Sequence, residues 1–396
     1  MKIINSSNLF TNKEIVILLD NSDQILKDIS HIILKDIINE KKLIFEFNNF
    51  QRIIIEPYTL DAGFYQIDLF KKNLKISQTS ILVQSEFKKK SSLFIVSSQC
   101  TWLAYNNYRG NSNYYLHSSF IKKKIREFFD KFLEISGIEI PNFLVEFLAR
   151  KIKKDRFNGR IAKDLKDFLD EKCDSHLAAA EICLVKNFHE EFQDCSYISD
   201  ATDFSKFPLN NIPRLVLIAA HSEYWTDSFR NWLAYLIKKG VNIIFLSGNN
   251  GYRKVSFKNN LMYVNQQRCK FSSDNSFATF SGCFFDKKAY GLYKSAKIIS
   301  KEIRDFLKIN TIGEDVKECW KKPIGHEVDK VIPFYKDKVE KYAFSSFGSS
   351  EVYVTNLKHK DTNSNVISFN SISICSSIKY SKSTKEFIRY LINKFI

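Results

Sequence analysis

The chain has 396 residues, with 60 Lys and Arg against 44 Asp and Glu, a formal net charge of +16. Its 44% apolar and 26% charged residues are a globular composition and exclude a disordered chain. Only 6 Pro and 12 Gly exclude collagen-like and Pro-rich linker architectures, and the length suits two domains, or three.

No apolar run approaches the ~18 residues needed to span a bilayer. Residues 1–20 lack the uninterrupted apolar core of a signal peptide. The eight cysteines (Cys100, Cys173, Cys183, Cys195, Cys269, Cys283, Cys319 and Cys375) form no CxxC pair and have no His at zinc-finger spacing. Scattered thiols without an export signal read as reduced and mostly buried, which points to the cytoplasm. The positive charge is mostly Lys spread along the chain, whereas nucleic-acid sites cluster Arg. A chain rich in Lys, Ile, Asn and Phe is what an AT-rich genome produces, so the charge requires no nucleic-acid partner.

Ile25, Leu26, Ile29, Ile32, Ile33, Leu34, Ile37 and Ile38 are spaced as one helix face and predict a helix over 24–41. Short extended runs follow at 43–47, 52–55, 65–70 and 80–83. Alternation in QIDLF and KISQTSILV makes them antiparallel strands, and residues 1–90 a small β-rich, sandwich-like module. Residues 92–98 (SLFIVSS), 215–220 (LVLIAA) and 241–246 (VNIIFL) are near-continuous apolar runs. Each is followed by polar residues, the pattern of central parallel strands ending at a site. With amphipathic stretches such as 229–239 they predict an open α/β sheet domain over 91–396, with its ligands at the carboxyl ends of the strands. Within it, the runs IKKKIREFFDKFLE, ARKIKKDR and KDLKDFLDEK predict a helical insertion over about 116–175 with a solvated basic face.

Three loops at those strand ends could carry chemistry. Residues 101–110 (TWLAYNNYRG) place aromatic, hydroxyl and amide groups directly after the first run. In HSEYWT (221–226), His221 and Glu223 point the same way if the segment is extended. A His and a carboxylate so placed can bind a metal, exchange a proton, or simply hydrogen-bond to each other. In SGNNGY (247–252), two glycines bracket two amides. Gly permits close backbone approach and an Asn side chain can orient a carbonyl or amide, although a tight βα turn uses the same residues.

Together, SLFIVSSQCTWLAYNNYRG and LVLIAAHSEYWTDSFRNWLAYLIKKGVNIIFLSGNNGYRKVSF resemble the catalytic domain of the N,N-dimethylformamidase large (β) subunit family. SGCFF (281–285), PIGHEVDK (323–330) and SNVISFNSISICSSIKYSKSTKEFIRYLINKF (364–395) follow in the family's order. The resemblance covers about 91–115 and 176–396. It implies a layered α/β domain like that of class I glutamine amidotransferases, without their nucleophilic Cys. It also implies hydrolysis of the C–N bond of a small linear amide, assisted by one Fe(III) held by two tyrosinates and a glutamate. Such hard anionic donors suit Fe(III), which polarises a carbonyl and acidifies water.

Carried over to this sequence, the resemblance makes Glu223 the glutamate ligand and Tyr105 one tyrosine ligand. His221 becomes the histidine beside them, either catalytic or supporting the ligands, Asn249 the amide lining the substrate site, and Glu327 of GHEVDK the carboxylate proposed as a base. The family's second tyrosine ligand lies between the TWxAYN loop and the strand leading to HxE. Residues 116–196 contain no Tyr; Tyr114 and Tyr115 precede them, Tyr197 follows, and Phe157 of KKDRFN cannot ligate. Either Tyr115 supplies that ligand or the site has one fewer. The resemblance further implies a small partner subunit, with a homo-oligomer as the other arrangement. The rival reading is a non-catalytic member of the fold that binds an acidic glycan, a nucleotide sugar or an acidic partner protein through the basic face of 116–175.

Overall fold

The computed structural model describes residues 2–3, 9–18, 29–47, 52–105, 158–159, 177–192, 194–208, 210–258, 261–268, 277–285, 297–307, 328–347, 350–379 and 381–396. The chain begins with strands β1 (Lys2–Ile3), β2 (Ile15–Leu18), β3 (His31–Asp36), β4 (Lys42–Glu46), β5 (Arg52–Ile55), β6 (Gly63–Lys71) and β7 (Leu74–Val83). They form two antiparallel sheets, ordered β1-β2-β5 and β4-β3-β6-β7. Ile15, Ile17, Ile53 and Ile55 from one sheet and Ile32, Leu34, Ile67 and Ile81 from the other share a single core.

The helix expected over 24–41 is not formed where the structure describes that segment: residues 31–36 are strand β3. Ile32 and Leu34 are buried there and their neighbours are only partly so, which is period two. Ile at β-branched positions suits a pleated strand, and the pairing with β6 from His31↔Phe70 to Asp36↔Tyr65 fixes the register. An apolar run this dense satisfies a helical template by accident.

The second part of the fold is built on β8 (Leu93–Ser97), followed at once by α1 (Gln99–Tyr105). Next come β9 (Asn158–Gly159), α2 (Ala178–Asn187), β10 (Cys195–Ser199), β11 (Leu215–Ala220), β12 (Tyr224–Trp225), α3 (Asp227–Lys238) and β13 (Asn242–Ser247). After them come β14 (Arg253–Lys258), β15 (Leu261–Arg268), α4 (Phe277–Ser281), β16 (Cys283–Phe285), β17 (Lys297–Ile298) and α5 (Lys301–Phe306). The described chain closes with β18 (Asp329–Val331), β19 (Val339–Phe347), β20 (Ser350–His359), β21 (Ser364–Ser368), α6 (Ile374–Ser377) and α7 (Lys382–Phe395). One mixed sheet runs β10-β8-β11-β13-β21-β20-β19-β17, with its first five strands parallel.

The continuous apolar runs are explained by burial on both faces. Leu93, Ile95, Leu215, Leu217, Ile244 and Leu246 face a core completed by Leu184 of α2 and by Phe387 and Leu391 of α7. The alternate residues Phe94, Val96, Val216, Ile218, Ile243 and Phe245 face a second core with Phe229, Trp232 and Leu236 of α3. Each such buried side chain contributes roughly 1.5–3 kcal/mol. Helix α3 starts where Thr226 Oγ1 accepts the Phe229 N–H at 3.1 Å, and it ends before Gly240 at φ +80°.

The two parts are sewn together just after β7. The Gln84 side chain accepts the Ser199 N–H at 2.9 Å and the Thr202 hydroxyl at 2.7 Å. Ser85 exchanges backbone and hydroxyl bonds with Tyr197 on β10. Of the basic segment 116–175, only Asn158–Gly159 is among the described residues, as a two-residue strand paired with β15 rather than a helix. The rest of the predicted insertion lies outside them, and so do Tyr115 and Glu327. Among the described residues no helix is long and apolar enough to cross a membrane. Of the cysteines, Cys100, Cys195, Cys283 and Cys375 are buried free thiols, and Cys183 is a half-buried one.

Candidate active site at the carboxyl ends of the parallel strands

Strands β8, β11 and β13 are neighbours in the sheet, so the segments that follow them, a helix rather than the expected loop in the first case, meet at one edge. Tyr105 ends α1, the helix that leaves β8. His221 and Glu223 follow β11, and Asn249 follows β13.

The Tyr105 hydroxyl donates to Glu223 Oε2 at 3.3 Å. His221 Nε2 lies 3.7 Å from the same oxygen, and the Tyr105 and His221 rings meet edge to face at 5.3 Å. His221 is fully buried and Glu223 is 2% exposed. The 221–223 segment is not a strand, yet its alternation still brings His221 and Glu223 to one side. Three of the sequence-predicted residues are therefore in contact.

The Glu223 backbone is fixed as firmly as its side chain. Its N–H donates to Thr101 Oγ1 at 3.1 Å, and its carbonyl accepts the Arg253 N–H at 2.9 Å. Next to it, the Gly251 N–H donates to the Ser222 carbonyl at 2.8 Å, and Trp225 Nε1 donates to the Ser222 hydroxyl at 2.7 Å. These bonds lace the turn after β13 to the loop after β11. Gly251 is needed in that turn: its φ is +60°, and a Cβ would lie 2.9 Å from the Trp225 ring.

Asn249, at φ +53°, is set by Asp329. Asp329 Oδ1 accepts the Asn249 N–H at 3.1 Å, and Oδ2 accepts the Asn250 side-chain amide at 3.0 Å. The Asn250 amide oxygen in turn accepts the Ser247 hydroxyl. Asp329 is completely buried at the start of β18. In the sequence, nothing beyond membership of PIGHEVDK and of TWLAYNNYRG marks Asp329 and Thr101.

Two further buried carboxyls lie beneath this edge. Burial raises Glu181 to about 8, against the nearby Ser97 hydroxyl and the hydrogen bonds from Ser98 and Trp102 that lower it, while the charge of Asp200 adds to the rise. Burial likewise raises Asp200 to about 8, opposed chiefly by bonds from Cys100. Burial also pushes the neighbouring Cys100 thiol well up, so it is no thiolate nucleophile. The signal for Glu181 was present in the sequence as a single acid within the apolar helix LAAAEICLV.

Among the described residues no group of three or more His, Cys, Asp or Glu side chains could hold a metal ion. Tyr105 and Glu223 nevertheless fit one as a pair of hard oxygen donors. Two oxygens each about 2 Å from one octahedral cation lie about 3 Å apart, close to the 3.3 Å between these two.

An open α/β sheet with polar loops gathered at the carboxyl ends of its parallel strands is the architecture of a ligand-binding or catalytic α/β protein. The chain belongs to the N,N-dimethylformamidase beta subunit-like family: the model of that family's C-terminal region matches residues 52–279. The match starts in β5 and takes in Tyr105, Tyr115, His221, Glu223 and Asn249, whereas SGCFF, PIGHEVDK and the C-terminal stretch lie beyond it. A comparison with curated proteins finds no match.

Proposed function

We propose that the protein is a metal-assisted hydrolase of the C–N bond of a small linear amide, with iron as the metal. Family membership supports a hydrolase of the dimethylformamidase kind. The observation that carries the reading is the convergence of the Tyr105 hydroxyl and His221 Nε2 on one buried Glu223 oxygen. Glu223 and Tyr105 would hold the cation, with Tyr115 the candidate for a third donor. A cation bound there would polarise the amide carbonyl and acidify water.

The remaining work falls to the chain's own groups. Packing of Tyr105 against His221 excludes bulk water from the Glu223 carboxylate. His221 holds or moves a proton at Nε2, facing the reacting centre. Asn249, pinned by Asp329, orients the amide carbonyl with its side chain. Glu327 is the candidate base for the attacking water.

The order of the parallel strands supports an amidotransferase-like layered domain over 91–396, preceded by a sandwich-like module over 1–90. Ala220 ends β11 with φ +62°, which turns the chain into the loop that bears His221 and Glu223. We place the protein in the cytoplasm, with a small partner subunit or a second copy as its assembly.

Incubation of the iron-loaded protein with N,N-dimethylformamide and related small amides tests the reading through release of amine and acid. We expect turnover that falls roughly 100-fold or more in Glu223→Ala and Tyr105→Phe. No turnover of any small linear amide by iron-loaded wild type would overturn it.

A further inference from the structure

Glu181 and Asp200 take no part in the chemistry above, yet both address one element. Glu181 Oε1 accepts the Ser98 N–H at 3.0 Å and the Trp102 indole N–H at 3.0 Å. Asp200 Oδ1 accepts the Cys100 N–H at 2.8 Å. All three donors lie in or just before α1, while Glu181 comes from α2 and Asp200 directly follows β10. Both carboxyls are almost completely buried, at 1% and 0% exposure.

Helix α1 is seven residues long, too short to hold its place by its own hydrogen bonds. It carries two of the groups that touch Glu223, the Thr101 hydroxyl and the Tyr105 phenol. A rotation of α1 about its start moves both. We propose that Glu181, assisted by Asp200, is a positioning residue that fixes α1 so that Thr101 and Tyr105 meet Glu223. Its functional consequence rests on Tyr105 and Glu223 forming the metal-holding pair; the geometry itself does not.

A carboxyl suits this task because one oxygen can accept two diverging donors. Raised to about 8, the group is neutral at neutral pH and needs no buried counter-ion. Glutamine offers the same acceptor in the same shape, so Glu181→Gln is the conservative variant. Glu181→Leu leaves the Ser98 and Trp102 donors without this acceptor.

The test uses protein labelled with 3-fluorotyrosine and read by fluorine NMR without metal, with Tyr105→Phe assigning the Tyr105 signal. We expect Glu181→Leu to move that signal toward the position of a free tyrosine, and Glu181→Gln to leave it in place. Iron affinity, titrated separately, falls roughly tenfold or more in Glu181→Leu and returns in Glu181→Gln. An unmoved Tyr105 signal in folded Glu181→Leu would overturn the proposal, and so would a Glu181→Gln variant that behaves like Leu. Should Glu181→Leu not fold, Trp102→Phe removes one donor and keeps an aromatic ring in the core. A displaced Tyr105 signal there supports the proposal and an unmoved one overturns it. Wild type that takes up no iron, with a Tyr105 signal that still responds to residue 181, overturns the metal reading and leaves the brace standing. Iron binding with an unresponsive Tyr105 does the reverse.

Discussion

Each group at the centre of the site is held by a residue far away in sequence. Glu181 reaches Ser98 across 83 residues, Asp200 reaches Cys100 across 100, and Asp329 reaches Asn249 across 80. Sequence motifs brought His221, Glu223, Tyr105 and Asn249 forward as candidates, because all four follow apolar strands closely. They did not disclose the carboxyls that hold those segments, because nothing local marks such a partner. The buried acids also predict a pH dependence. Glu181 and Asp200 are raised in the folded state, so each binds its proton more tightly folded than unfolded. The stability each contributes is full below its unfolded value near 4 and is lost as pH rises through about 8. Denaturant melts between pH 5 and 8 should show Glu181→Gln gaining on wild type as pH rises, by at most about 1.4 kcal/mol per pH unit. A pH-independent difference would show that Glu181 is ionised in the folded protein.

Among the elements, the central strands were the most legible. The run 215–220 is β11 to the residue, and 52–55 is β5, because burial on two faces or clear alternation leaves little room for another reading. The helix expected over 24–41 failed for the opposite reason: an Ile-rich run carries both periods, and pairing with β6 decided between them. At this scale the turn after β13 is the critical joint, since it ties Asn249 to the loop that bears Glu223. Gly251→Ala puts a Cβ against the Trp225 ring in a left-handed conformation. It should lower stability by about 1–3 kcal/mol, read from the denaturation midpoint. It should also lower iron affinity, because Trp225 and Ser222 flank Glu223. A neutral substitution would mean that the turn relaxes freely and fixes nothing.

For the whole molecule, the difference between the antiparallel strands of the first two sheets and the buried parallel strands of the mixed sheet was legible in the change from alternating to continuous apolar runs near residue 90. The joint between them was not, because a lone Gln has no motif. Gln84 is fully buried and holds two donors on and beside β10, next to the strand that feeds α1. Gln84→Leu should cost about 1–3 kcal/mol and speed hydrogen exchange of the Ser199 amide. Unchanged exchange at Ser199 would show that the two parts are held together elsewhere.

The proposed chemistry turns on Glu223 as a metal-holding carboxylate beside Tyr105. The most direct measurement is the iron content and visible spectrum of purified wild type and Glu223→Ala after incubation with ferric iron. We predict near-stoichiometric iron with a tyrosinate absorption band in wild type, and loss of both in the variant with the fold intact. A folded wild type that takes up no iron, or a Glu223→Ala variant that keeps the band, would contradict it.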